Sequence, residues 1–229
     1  VFLVTSGTKD DINKAVSAAS DAFETYQFSS KEDRIEILNN IIAEYENRYD
    51  DLVQVITEEM GAPIWLSEKA QASTGIKNLH ETLDALKEYE FEKKEGDYTL
   101  IREPIGVIAA IIPWNSQMLL TAVKLAPALA MGNTVVIKSS ELAPAVLFEF
   151  AKLIEETGIP KGVVNVITGF GDPCGKALTT HNLVEKIAFT GGPETARHII
   201  RNSAENLSQV SLELGGKSPV AVFEDADQE

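Results

Sequence analysis

The chain has 229 residues, 44% of them apolar and 24% charged, enough to bury an ordinary soluble core as one large domain or two small ones. Its formal net charge of -15 argues against a nucleic-acid backbone as partner, which needs clustered Lys and Arg, and against docking on an anionic membrane. The single cysteine, Cys174, excludes an internal disulfide and a cysteine-based zinc site and fits a reducing, cytoplasmic setting.

No apolar run approaches the ~20 residues of a membrane span, and no signal peptide opens the chain. The sequence starts at Val1 rather than Met and stops at "EDADQE", so both ends read as cut.

The first ~90 residues carry helical periodicity. Thr8 with Asp11 three positions later resembles a capping box, and Ser30 with Asp33 repeats it. Ile12, Ala15, Val16, Ala19 and Phe23 follow the first signal, and Ile35, Leu38, Ile41, Ile42 and Tyr45 the second. That pattern runs on toward Gly61, and a third stripe holds Ile76, Leu79, Leu83 and Leu86. These stripes read as core. The period changes near Tyr98, and strands then alternate with helices. "GVIAAII", "NTVVIK", "VVNVI", "VEKIAF", "QVSLEL" and "PVAVF" read as strands. Gln117 to Met131, Pro144 to Thr157, a short stretch after Gly171 and a segment opened by Pro193 read as helices. The fold class expected is α/β, with a mostly parallel sheet, helices on both faces and a helical N-terminal region. Ligands bind such sheets at the carboxyl ends of the strands, so chemistry is sought in the strand-to-helix turns.

Five turns stand out. "PWNS" offers Trp114 as a flat surface and Asn115 as either a neutral donor to an oxyanion or a helix cap. "IKSSE" sets Lys138 three residues from Glu141, either a surface ion pair or a ribose-hydroxyl site that repels a 2′-phosphate. "GFGDPCG" spaces Gly169, Gly171 and Gly175 one residue longer than the usual dinucleotide fingerprint, and Cys174 within it reads as a buried thiol. "FTGGPE" leaves Gly191 and Gly192 before a helix start, suited to pyrophosphate or simply to helix entry. "ELGGK" puts Glu213 at a strand end, a base if partly desolvated or else a charge paired with Lys217 or solvent. His80, His181 and His198 lack metal-ligand spacing, so no metal site is expected.

The blocks "PWN", "KLAPALAMGNTVVIKSSELAP", "GVVNVITGFG", "FTGG" and "LELGGKSP", in this order, resemble the NAD(P)-dependent aldehyde dehydrogenase superfamily along essentially the whole chain. The resemblance implies a variant dinucleotide-binding domain. Residues 1–97 would be its helical N-terminal part, 98–112 part of an oligomerisation hairpin leading into the first strand, and 113–229 the dinucleotide-binding α/β part. The catalytic domain would lie outside these residues. Asn115 matches the oxyanion-hole side chain and Glu213 the general base. Lys138 and Glu141 match the pair at the adenosine ribose, Trp114, Gly191 and Gly192 the pyrophosphate region, and Gly171 is counted among the cofactor-binding residues. Leu214 and Gly215 match residues near the nicotinamide, where two glycines would allow a sharp turn, and Lys124 a supporting lysine beside the asparagine. Many relatives carry serine where Gly192 stands.

The family nucleophile is a cysteine a few tens of residues beyond "ELGG", and Cys174 matches no catalytic position. The resemblance therefore implies NAD-dependent oxidation of an aldehyde to a carboxylic acid through a thioester in an intact enzyme. These 229 residues alone are expected to be inactive. NAD is the expected cofactor, with NADP possible, and a homo-oligomer (dimer or tetramer) the expected assembly. A non-catalytic NAD-binding or structural protein of the same fold is the alternative. A reductive branch acting on acyl phosphates or acyl-CoA fits less well, because it has no need of a water-activating Glu213.

Overall fold

The computed structural model describes residues 3–227, so Val1, with which the sequence reading opens the chain, and Glu229, with which it closes it, lie outside the described residues. Both capping boxes form. Thr8 caps α1 (Lys9–Tyr26) and Ser30 caps α2 (Lys31–Asn47), each exchanging bonds with the acid three residues on. The Ser30 hydroxyl accepts from the Asp33 amide at 3.1 Å, and the Ser30 amide donates to the Asp33 carboxylate at 2.8 Å. Ser30→Ala is therefore expected to lower stability by about 1 kcal/mol, read from the midpoint of a urea melt. The continuous pattern toward Gly61 divides at Arg48 into α2 and α3 (Tyr49–Met60). A short α4 (Ile64–Leu66) and a π-helical stretch, Ser67–Ala72, lead into α5 (Ser73–Glu88).

The β region begins earlier than the sequence suggests. β1 (Glu92–Glu95) pairs antiparallel with β2 (Tyr98–Ile101) in a solvent-facing hairpin. "EKKE" carries no apolar alternation, and its strand form comes from pairing with β2.

Beyond the hairpin, β3 (Val107–Ile111), α6 (Gln117–Ala130), β4 (Thr134–Lys138), α7 (Ala145–Glu156) and β5 (Val164–Ile167) follow. A π-type turn, Gly171–Gly175, and α8 (Lys176–Thr179) precede β6 (Val184–Gly191), α9 (Pro193–Asn206) and β7 (Gln209–Leu214). Five strands form one parallel sheet in the order β5-β4-β3-β6-β7. Alternate residues feed two cores. Ile108, Ala110, Ile112, Val135 and Ile137 meet α6 and α7, which α2, α3 and α5 back. Val107, Ala109, Ile111, Val136 and Ile187 meet α1, α8 and α9. This is the period-2 signature of a sheet covered on both faces. Gly132 ends α6 at φ +80°, where an added Cβ would press on the buried Arg34 guanidinium.

"PVAVF" is not a strand. Its residues are irregular, and Val220, Val222 and Phe223 are exposed. Apolar β-branched composition favours a strand only where a neighbouring backbone supplies the ladder, and no described strand borders β7 on its outer side.

Candidate active site

Two cavities open at the carboxyl ends of the strands, one of about 1110 Å³ and one of about 720 Å³. Pro113, Trp114, Phe189, Thr190, Gly191 and Gly192 border both, so the two are halves of one cleft. The division follows the covering helices. Among the described residues no helix packs closely on β6 and β7 on the face shared with α6, and Lys186, Ala188, Thr190, Ser211 and Glu213 line the larger cavity.

The larger half holds Asn115, Lys124, Glu213, Leu214 and Gly215. Asn115 is exposed and makes no hydrogen bond to another described residue. The N-cap of α6 is Ser116, without a side-chain cap bond, so Asn115 does not cap this helix and its amide faces the larger cavity unbonded. Thr190 and Glu213 are register partners on β6 and β7 and so share one face of the sheet. Lys124 reaches over from α6 and donates to the Thr190 hydroxyl at 2.6 Å. Burial pulls the Lys124 pKa down, and the Glu213 charge works against that shift. Thr190 escaped the sequence reading, which saw only the glycines of "FTGG". Its place in the alternation Lys186, Ala188, Thr190 is the signal that points to it.

Glu213, on the outermost described strand β7, is exposed among the described residues and makes no ion pair with Lys217, which leaves its carboxylate open to solvent. One expectation is corrected here. Gly215 and Gly216 adopt no left-handed φ, and a Cβ on either would meet no neighbour. The turn after β7 does not demand glycine.

The smaller half holds Lys138, Glu141 and Gly171. Lys138 is 4% exposed, so it is no surface ion-pair residue. Its ammonium donates to the Ser139 carbonyl at 2.7 Å and lies 3.6 Å from the Glu141 carboxylate. Burial pulls the Lys138 pKa down, and Glu141 opposes it. A Cβ on Gly191 would strike the Phe189 ring, which fixes that position as glycine, whereas one on Gly192 would meet open space. The backbone at Gly192, ahead of α9 with Pro193 in its first turn, stays open to an anion at the helix start. Cys174 is buried outside both halves and donates to the Gly7 carbonyl at 2.8 Å, and burial pushes its thiol pKa up.

A parallel α/β sheet with a two-part cleft at its strand ends defines a class of ligand-binding folds. The particular family follows from comparison with known proteins. The sequence matches the aldehyde dehydrogenase family over residues 1–229. It is 49% identical to the (Z)-2-((N-methylformamido)methylene)-5-hydroxybutyrolactone dehydrogenase of Acinetobacter baylyi, over 95% of this chain and 46% of that protein. An aldehyde dehydrogenase from Bartonella henselae superposes with a TM-score of 0.95 at 38% identity, over 98% of this chain and 48% of that one. A cysteine-to-alanine mutant of aldehyde dehydrogenase C from Pseudomonas syringae, solved with NAD+ and octanal, gives a TM-score of 0.95 at 37% identity, over 98% of this chain and 46% of that one. The chain belongs to the aldehyde dehydrogenase family. It spans about half the length of the curated relatives it matches.

Proposed function

We propose that the protein carrying this chain oxidises an aldehyde to a carboxylic acid with NAD+ through a thioester. The observation that carries this reading is the continuous cleft with Asn115 and Glu213 in one half and Lys138 and Glu141 in the other. The residues fit a dinucleotide. Glu141 is held only loosely by Lys138, so its oxygens remain able to accept from ribose hydroxyls, and its charge disfavours a 2′-phosphate. This ranks NAD above NADP. Trp114, Gly191 and Gly192 line the path between the halves where a pyrophosphate would lie, Gly171 lines the smaller half, and Leu214 and Gly215 flank the nicotinamide end.

NAD+ supplies the hydride acceptor. Asn115 donates to the oxyanion formed when a thiolate adds to the aldehyde, and Glu213 takes the proton of the water that hydrolyses the thioester. Cys174 is buried away from Asn115, so the thiolate comes from outside these residues, in the catalytic part of the whole protein. The helices up to Glu88 then form the helical part of the cofactor domain, β1 and β2 the hairpin leading toward the sheet, and the residues from β3 onward the dinucleotide-binding part, so the hairpin starts before the boundary at 98 that the sequence suggests. The exposed Tyr98, Leu100 and Ile101 of the hairpin suit contact with a second copy, giving a dimer or tetramer. No helix among the described residues is long and apolar enough to cross a membrane, and a cytoplasmic site is the reading adopted.

The test is NADH formation from aldehyde and NAD+. The intact protein is expected to be active and a polypeptide of these 229 residues inert. An intact protein that binds NAD+ yet oxidises no aldehyde would leave the non-catalytic reading in its place.

A further inference from the structure

The helix that follows the Lys138–Glu141 turn has no cap of its own. Pro144 occupies the N-cap position of α7 and offers no side-chain acceptor. The acceptor comes from α3, 86 residues earlier. The Ala145 amide donates to Glu59 Oε1 at 2.6 Å, and the Val146 amide, 87 residues away in sequence, donates to Oε2 at 3.2 Å. A carboxylate bridging two free amides at a helix start combines charge-assisted hydrogen bonds with the helix dipole. Burial pushes the Glu59 carboxyl pKa up, and the two amides oppose that shift.

Residues 139–144 link β4 to α7 and carry Glu141 and Leu142 on the wall of the smaller cavity. The upstream end is fixed to the sheet, where the Ser139 amide donates to the Ile167 carbonyl at 3.0 Å. Within the loop the Leu142 amide donates to the Ser140 hydroxyl at 3.2 Å, a local bond that anchors the loop to nothing else. The 3.6 Å contact between Lys138 and Glu141 is too long to be a strong hydrogen bond. At the downstream end Ala143 and Ala145 are buried, and the free amides of the helix start are held through Glu59.

We propose that Glu59 is a positioning residue for the nucleotide half of the cleft: by bonding the first two amides of α7 it sets where the 139–144 loop ends and where Glu141 is presented. This rests on the reading of that half as an NAD+ site. Glu59 touches neither cavity and acts only through the loop.

The experiment uses the intact protein with Glu59→Ala, Glu59→Asp and Glu59→Gln. NAD+ binding is titrated directly, and amide exchange over 139–146 is followed without cofactor. Glu59→Ala is expected to raise the Kd for NAD+ about five- to tenfold, as loss of two charge-assisted bonds would. It should also speed exchange over 139–146 while leaving kcat at saturating NAD+ and KM for aldehyde unchanged. Glu59→Gln keeps one oxygen acceptor but loses the charge and sets its amide nitrogen against the second backbone N–H, so it should recover only part of the affinity. Glu59→Asp, one methylene short, carries the test if the alanine variant fails to fold. A lower melting temperature with unchanged Kd in the folded fraction would mean a merely structural contact and would overturn the proposal. Unchanged exchange over 139–146 would overturn it whatever the cofactor does. A wild type that binds no NAD+ would instead sink the nucleotide reading, with the exchange measurement still deciding whether Glu59 holds the loop.

Discussion

Glu213→Gln in the intact protein is expected to slow steady-state turnover about 10²- to 10⁴-fold, the range by which a positioned general base accelerates proton transfer. The substitution exchanges an acceptor oxygen for an amide nitrogen at nearly constant volume. Among the described residues Glu213 makes no ion pair and packs in neither core, so the substitution disturbs no contact of these residues. Thr190, its register partner, continues to hold Lys124. The fold and the first chemical step are therefore expected to survive. A rapid burst of NADH, at most one per active site, should precede a slow steady phase limited by acid release. Turnover within about twofold of wild type would remove Glu213 from the hydrolytic step. A variant lacking both burst and turnover would mean that Glu213 acts earlier, in forming the thiolate or binding aldehyde.

Much of the fold was legible because its signals are local. "TKDD" and "SKED" each hold a hydroxyl and an acid three residues apart, and both capping boxes form. The apolar runs from "GVIAAII" to "QVSLEL" became the five parallel strands, with a core on each side of β3 and β4 and on one side of β6 and β7. Trp114, Asn115, Lys138, Glu141, Gly171, Gly191, Gly192, Glu213, Leu214 and Gly215 all line the cleft, since topology brings the five strand ends to one edge, whereas Gly169, Cys174 and Lys217 from the same turns do not.

What the sequence hid is non-local. β1 exists through its partner strand, not its composition. "PVAVF" has strand composition but no described neighbour to pair with. Glu59 looks like any surface acid of α3 until α7 is placed against it. The exposure of Glu213 is equally invisible in "LELGG", because it depends on which strand ends the sheet. The two asparagines are the sharpest case. Asn133 is buried, and its side-chain oxygen accepts from the Ile105 and Gly106 amides at 2.7 and 3.1 Å while its nitrogen donates to the Ala128 carbonyl. Asn115 bonds to no described residue. Both follow apolar runs in the sequence, and only the packing separates the one that holds the fold from the one left free for chemistry.

That separation sets the second large expectation. Asn115→Ala should lower kcat about 10²- to 10³-fold, the usual consequence of deleting one oxyanion donor. Because Asn115 is exposed and caps no helix, stability should change by no more than about 0.5 kcal/mol. NAD+ affinity should hold, since Lys138 and Glu141, proposed above to face the ribose, lie in the other half of the cleft. Asn115→Asp makes the argument sharper. It keeps size and shape but replaces two donors by a negative charge facing a developing negative charge, so it should be slower than the alanine variant. Rapid-mixing measurement of the NADH burst is the check, because it isolates the step in which the oxyanion forms. A burst rate in Asn115→Asp equal to wild type would show that the carbonyl oxygen lies elsewhere in the larger cavity. The backbone amides around Gly191 and Gly192 would then be the donors to test, as the open polar groups of the cleft nearest its centre.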